Sequence, residues 1–331
     1  MAKLQPAVKT MQFEVLPSNY AFIDLSQCAS MLNRRFYRQG LLWAVGGFTV
    51  INRANPGTNK RLLIEKLPET WVMYNAWVKG FKTWNKMNYE SLRETESVRP
   101  KFLDFKIFMD AVHHEDGVLL NQTPVAYDGA AYKRGEWDMS KMVIPRTDGT
   151  DDVHNREIIA IGANYPGAGA SSLGAVSLIE GYAASRALPD ILDPNAPLDM
   201  TDAYGDTPEN WMAATFNEGT EQDSQVLSDM FENNTPPYPF ENGPDQSGGP
   251  AFTDTQYPGG ANNPVGGGTL EIHDFADISG TTIGARTMLR GGTFPCGLLK
   301  FSNNADSIVD LLIHLVPGHH RGYLAEPMQD V

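Results

Sequence analysis

Two pairs of adjacent histidines offer the first prospect of chemistry. His113-His114-Glu115-Asp116 and His319-His320 carry imidazole and carboxylate, which are zinc-ligand types, but a zinc site needs three or four ligands converging on one point. Neighbouring histidines on a turn-rich stretch have no third ligand in register, so they are expected to be solvated loop residues. A phosphate cradle is the second prospect. Gly167, Gly169 and Gly174 follow an apolar run at 158–162, as in dinucleotide sites where glycines bring a helix N-terminus to a pyrophosphate. Ser172 stands where that fingerprint needs its third glycine, and Asp190 and Asp193 lie in a proline-rich loop rather than at the end of a second strand, which argues against the reading. Acids supply the third. Glu209, Glu218, Glu221, Asp223 and Asp229 lie on or beside one predicted helix and read mostly as a solvated face. Joined by Asp199 and Asp202, the set Glu218, Glu221 and Asp223 could hold a calcium ion between subunits. No Gly-x-Ser-x-Gly elbow, Walker loop, His-Glu-x-x-His or Cys-x-x-Cys occurs, so no catalytic residue, cofactor or enzyme activity is expected.

Cations are the fourth, and they are segregated. Residues 1–101 hold 15 Lys+Arg and 7 Asp+Glu, while residues 102–331 hold 11 and 33, within a net charge of −14. Concentrated positive charge suits a face that attracts polyanions. Arg34, Arg35 and Arg38 flank Phe36 and Tyr37, a combination that could grip phosphate through the guanidinium fork and stack an unpaired base. The competing reading pairs these arginines with Asp24 or Glu69 to brace the fold. Lys79, Lys82 and Lys86 fall between Tyr74, Trp77, Phe81 and Trp84, which recur at intervals of three and four. That is an amphipathic helix, its aromatics packing inward and its lysines outward; stacking of bases on the aromatics is the alternative.

The elements that must position these groups are mostly strands. The run Leu41, Leu42, Trp43, Ala44, Val45, Gly46, Gly47, Phe48, Thr49, Val50, Ile51 is too short to cross a bilayer, and its β-branched and aromatic content with paired glycines predicts a buried, bent strand. Period-two alternation predicts further strands near 11–15, 20–25, 61–67, 103–109, 157–163, 270–272, 281–283, 294–301 and 309–315. Asn55-Pro56-Gly57 predicts a turn that makes 41–51 and 61–67 a hairpin. Helices are predicted from Ser26 through Phe36, from Ser171 or Ser172 through Tyr182, and from Thr207 to about Phe231. Residues 113–155 and 189–268 read as long excursions. Regular βαβ alternation is missing, which predicts a mainly β, antiparallel sandwich of the jelly-roll type with helix-containing loop insertions. One domain over 1–331 is expected. No signal peptide or membrane anchor is expected, and Cys28 and Cys296 are expected to be free thiols of an intracellular protein.

Several phrases resemble a known family. Asn33-Arg34-Arg35-Phe36-Tyr37-Arg38-Gln39-Gly40, Leu67-Pro68-Glu69-Thr70-Trp71-Val72-Met73, Ser177-Leu178-Ile179-Glu180-Gly181-Tyr182-Ala183 and Leu315-Val316-Pro317-Gly318-His319-His320-Arg321-Gly322-Tyr323-Leu324 are similar to the capsid proteins of small circular, Rep-encoding single-stranded DNA viruses. The resemblance implies a structural protein of the virion, made inside the host cell, that self-assembles into an icosahedral shell around a single-stranded DNA genome. Its partners would be copies of itself, the genome and a host receptor of no assigned chemistry. Circovirus-type capsids begin with an arginine-rich arm, whereas only Lys3 and Lys9 precede Glu14 here. Genome binding would therefore come from the folded inner surface. The contrasting reading is a soluble β-sandwich enzyme or ligand-binding protein with an acidic lid.

Overall fold

The computed structural model describes residues 5–53, 60–92, 104–145, 153–163, 174–184, 269–279 and 285–330. Its contacts divide the chain into one unit formed by Met1–Glu69, Val118–Asp138 and Leu270–Val331, and another formed by Thr70–Gly117 and Met139–Thr269.

The first unit is an antiparallel β-sandwich. Strands β1 (Thr10–Val15), β2 (Asn19–Asp24), β3 (Leu41–Asn52) and β4 (Lys60–Lys66) come from the first part of the chain. Strands β8 (Glu271–Ile278), β9 (Arg286–Phe294), β10 (Leu298–Asn303) and β11 (Val309–Leu315) come from the last. One sheet runs β1-β11-β3 with β9 on the other side of β3, and the second runs β2-β10-β4-β8. Apolar side chains of the two sheets share one core, in which Phe13, Trp43, Phe48, Phe294 and Phe301 are fully buried. Short C-terminal strands complete the unit: β12 (Pro317–Gly318) pairs with β13 (Gly322–Tyr323), and β14 (Ala325–Pro327) joins the start of β3.

The predicted hairpin of 41–51 with 61–67 does not form. Consecutive strands β1 to β4 alternate between sheets, and β3 bonds to β11 and β9 whereas β4 bonds to β10 and β8. Local turn chemistry is overridden because every strand then places one face in the common core. The Asn55-Pro56-Gly57 turn lies outside the described residues.

Helix α1 (Leu25–Asn33) stops before Phe36, and its N-cap is Asp24 rather than Ser26. The Asp24 carboxylate accepts from the N–H groups of Ser26 and Gln27 at 2.9 and 3.1 Å, satisfying donors that a helix start leaves unpaired. The paired glycines of β3 bend it as their composition implies. Register with β11 shifts between His314 and Leu315, opposite Gly47 and Val45, which is a bulge at Gly46. Gly291 of β9 lies so close that a Cβ there would overlap the backbone of Val45 and Gly46.

Single positions on three edge strands of the sandwich are capped. Val125 N–H donates to Gln12 O of β1 and Gln122 N–H to Phe22 O of β2, each at 2.8 Å, so residues 122–125 occupy backbone groups of both edge strands on one side. On the other side Asp274 accepts from the N–H of Arg290 at 2.8 Å and the His273 ring bonds Arg290 O at 3.0 Å. Side chains of β8 thereby occupy both backbone groups of Arg290 on the edge of β9 that another chain would otherwise pair with.

The second unit holds α2 (Trp71–Leu92), α3 (Ala111–Asp116), β5 (Lys141–Pro145), β6 (Val153–Ile159), β7 (Ala175–Ser177) and α4 (Leu178–Ala184). Strands β5 and β6 pair antiparallel, β6 and β7 parallel. The strand predicted near 103–109 is a single bridge from Phe108 to Ile159. Phe105, Ile107, Phe108 and Met109 are all buried, so the segment threads the core instead of alternating across a sheet. Helix α4 starts after Ser177, whose hydroxyl accepts from Glu180 N–H at 3.4 Å; Ser171, Ser172 and the helix predicted from Thr207 lie outside the described residues.

Two glycine substitutions separate close packing from backbone conformation. Gly291→Ala is expected to destabilise by at least about 2 kcal/mol, because the obstructing atoms are backbone. At Gly129, φ is +83° with nothing within 4 Å of an added Cβ, so Gly129→Ala should cost only about 1–2 kcal/mol. Urea unfolding of both variants measures the difference, and equal losses would contradict the packing argument.

Candidate nucleic-acid interface

The turn after α1 presents the predicted arginines. Arg34 is the helix C-cap in the left-handed conformation, φ 49°, where glycine is usual and an arginine costs about 1–2 kcal/mol. Arg34, Arg35, Phe36 and Arg38 are exposed, Phe36 at 47%. Tyr37 is not, being 1% exposed. Its ring packs 5.9 Å from Trp43 and 5.5 Å edge-on from Tyr323, and its hydroxyl donates to Arg321 O at 3.0 Å. Tyr37 is thus core rather than a stacking platform, because the strand-like alternation of 36–39 turns Tyr37 and Gln39 inward and Phe36 and Arg38 outward.

The arginines do not brace the fold through the acids proposed for them. Asp24 is occupied by the start of α1 and by Gln39 Nε2 at 2.9 Å, which ties the arginine turn down without neutralising it. Glu69 accepts from Lys66 Nζ at 2.7 Å. Among the described residues Arg34, Arg35 and Arg38 pair with no carboxylate, and Arg35 donates to the neutral Gln5 Oε1 at 2.9 Å. Several cations on or beside strands of the same unit are paired by contrast: Arg53 with Glu14 and Asp310, Arg61 with Asp277, Arg290 with Asp274. Hydrogen bonds from Arg61 hold Asp277 below the usual carboxylate range.

A second segment, unassigned by sequence reasoning, completes the surface. Arg321 also has a left-handed backbone, φ 50°, and its guanidinium donates to Phe36 O. Lys9 Nζ bonds Gly322 O and lies 4.5 Å over the Tyr323 ring; burial lowers its pKa. His320 is pushed below the ordinary imidazole range, first by burial and then by the charges of Arg321 and Arg35. The sequence shows only an Arg321-Gly322 dipeptide; in the structure the left-handed arginine is followed by a glycine at φ +104° whose Cβ would strike Ala7. Only close approach of 5–9 and 319–323 makes it visible.

The lysine group belongs to the other unit. Lys82 and Lys86 are exposed on α2, and Lys79 lies 5.7 Å over the Tyr182 ring. The aromatic stripe between them packs inward: Trp77 stacks on Phe81 at 5.2 Å, and Trp77, Phe81 and Trp84 surround Phe105. The remaining metal prospects change as well. His113 and His114 are buried, not solvated: α3 is capped by Asp110, His113 Nδ1 accepts from Met109 N–H at 3.0 Å, and His114 Nε2 sits 2.8 Å from Glu157. His319 is exposed and His320 half-buried. No group of three His, Cys, Asp or Glu suited to a metal occurs among the described residues. Asp199, Asp202, Glu218, Glu221 and Asp223 lie outside them, as do Gly167 and Gly169. Cys28 and Cys296 are free and buried, and no helix among the described residues is long and apolar enough to cross a membrane.

The division between Phe36 and Tyr37 is testable by stability. Phe36→Ala should cost less than about 1 kcal/mol, whereas Tyr37→Ala should cost about 3–5 kcal/mol and Tyr37→Phe about 1 kcal/mol for the missing hydrogen bond. Denaturant midpoints of the three variants decide it, and a Tyr37→Ala variant as stable as Phe36→Ala would return Tyr37 to the surface. Comparison with protein-family models, with curated proteins and with solved structures finds no match for this chain.

Proposed function

We propose that the chain is a non-enzymatic capsid protein whose first unit is a jelly roll, and that copies of it assemble into a closed shell around a single-stranded DNA genome. The carrying observation is the nesting of strand pairs: β1 with β11, β2 with β10, β3 with β9 and β4 with β8. First pairs with last and inner with inner, so the unit is one long antiparallel ribbon folded back on itself and wrapped into two sheets. That winding supports the jelly-roll reading, an architecture used by viral shells and also by lectins and cupins. The shell reading is favoured because Trp43, Phe48, Phe294 and Phe301 fill the space between the sheets, where a ligand-binding barrel would keep a cavity. The ribbon is interrupted between β4 and β8, the place where the whole second unit is inserted.

In this reading the arginine turn faces the enclosed genome. Unpaired guanidiniums grip phosphates with release of counterions, and Phe36 stacks an unpaired base for about 1–3 kcal/mol. The resemblance of the chain's phrases to capsid proteins of circular single-stranded DNA viruses points the same way. Such a protein would reside in the virion after synthesis in the host cell.

Electron microscopy of the purified protein should find closed symmetric particles; a monodisperse monomer at high concentration across salt and pH would overturn the assembly reading. Joint replacement of Arg34, Arg35 and Arg38 by Gln should leave particles that contain less nucleic acid, with the salt dependence of binding shallower by about 0.7 for each phosphate that is no longer neutralised. Particles with an unchanged ratio of nucleic acid to protein would remove the genome-facing role from this turn.

A further inference from the structure

The surface around Arg321 is built from three stretches that contain no acid at all. Residues 5–9, 33–40 and 317–324 carry Lys9, Arg34, Arg35, Arg38 and Arg321 with His319 and His320, and neither Asp nor Glu. They are bonded to one another in both directions. Arg321 donates to Phe36 O, and Tyr37 returns a hydrogen bond to Arg321 O. Arg35 reaches Gln5, and Tyr323 OH donates to Val8 O at 2.6 Å while accepting from Asn33 Nδ2 at 2.7 Å. His320 is held at the centre: its backbone N–H donates to Tyr323 O at 2.8 Å, its carbonyl accepts from Tyr323 N–H at 3.0 Å, and its ring lies 6.4 Å from that of Tyr37. The groups facing it are the guanidinium charges of Arg35 and Arg321, the neutral phenols of Tyr37 and Tyr323, and, across Tyr323, the Lys9 ammonium.

We infer that Arg35, Arg321 and His320 form one phosphate site for single-stranded nucleic acid, and that binding there is linked to uptake of a proton by His320. The inference rests on the reading of the 33–40 turn as a nucleic-acid interface and extends it to a residue that sequence reasoning did not assign. Fixed like charges that no acid neutralises are stabilised by an anion that bridges them, and a phosphate oxygen meets the fork of an arginine in two bonds. The same two charges that oppose protonation of the half-buried His320 are offset when a phosphate sits between them. With phosphate bound, the imidazolium gains an attractive partner and its pKa rises. Linkage then fixes the sign. Between the free and the bound pKa the complex holds more protons than its parts, so affinity increases as pH falls through that window and levels off below it.

The test is a titration of fluorescein-labelled oligothymidylate of about ten nucleotides into the full chain at constant salt. Runs from about pH 8 to about pH 5 bracket the ordinary histidine range. Wild-type binding should tighten by about tenfold across the range, which corresponds to a rise of about one in the His320 pKa on binding. His320→Gln should flatten that profile to less than about twofold. Arg321→Gln should lower the salt slope by about 0.7, and Arg321→Lys, which keeps the charge, should restore it. His320→Gln following the wild-type pH curve, or Arg321→Gln binding with the wild-type salt slope, would overturn the inference. Should Arg321→Gln fail to fold by circular dichroism, the Arg321→Lys slope and the His320→Gln profile decide alone. Particle formation is scored separately by microscopy, so a failure to assemble is distinguishable from a failure of the phosphate site.

Discussion

Everything on the basic surface hangs from one knot of buried aromatic rings. Tyr37, Trp43 and Tyr323 meet at centroid separations of 5.2–5.9 Å, and all three are essentially sealed from solvent. Three such rings bury a large apolar area, but each also carries a polar hydrogen that must be satisfied on the way in. Trp43 Nε1 donates to Ser26 Oγ at 2.9 Å, Tyr37 to Arg321 O, and Tyr323 to Val8 O. Burial pushes the Tyr323 phenol up to about 12, so it remains a donor over any ordinary pH. The acceptors sit on α1, on the turn after β11 and on the segment before β1. Satisfying the knot therefore fixes the position of all three acid-free stretches. Gly297 shows how little slack there is: φ is +67° and an added Cβ would lie 2.7 Å from Trp43.

The knot works because it sits where the ends of the ribbon meet. In a nested pairing the first and last strands are neighbours, so the segment before β1 and the segment after β11 emerge side by side. Their cations are brought together by topology, at large sequence separation. Contacts such as Tyr323 with Val8 close a loop of nearly the whole chain and carry a large ordering entropy, which only the common core between the sheets offsets. Site and fold are thus one cooperative problem, since the cationic surface exists only once the ribbon has closed.

That dependence explains what was legible in the sequence. Alternation located β1 and β11 because each has one face on the core. The strand predicted over 294–301, by contrast, runs through the Pro295–Gly297 turn that separates β9 from β10, and Ile272, predicted to face inward near the start of β8, is exposed. The glycine pair in β3 announced a bend that the register shift at Gly46 realises. The pairing of β3 with β4 was misread because adjacency in sequence carries no information about which sheet a strand joins. The segment near 103–109 was misread for a different reason. Phe105, Ile107 and Met109 alternate on paper, but Phe108 between them is equally buried, so the period is incidental. Of the site, the exposed arginines and Phe36 were readable and Tyr37 was not, because an aromatic beside cations looks the same whether it faces out or in. Arg321 was invisible because of topology: its partners, Phe36 and Tyr37, are some 285 positions away.

Charge is distributed over this frame unevenly. On and beside the strands, most cations are placed across from acids: Arg53, just after β3, bridges Glu14 of β1 and Asp310 of β11, and Lys300 lies 3.7 Å from Glu65 across the second sheet. Exposed pairs of this kind add little to stability, yet they leave the faces of the sandwich electrically quiet. The three converging stretches contain no acid of their own, so no carboxylate within them offsets their charge. Exposure keeps the mutual repulsion of the arginines small, because water screens it within about 10 Å. His320, half-buried among them, is the group that feels it most. A fold that pairs most of its strand cations with acids and leaves those at the junction of its termini without one therefore tolerates a concentrated positive surface at modest cost.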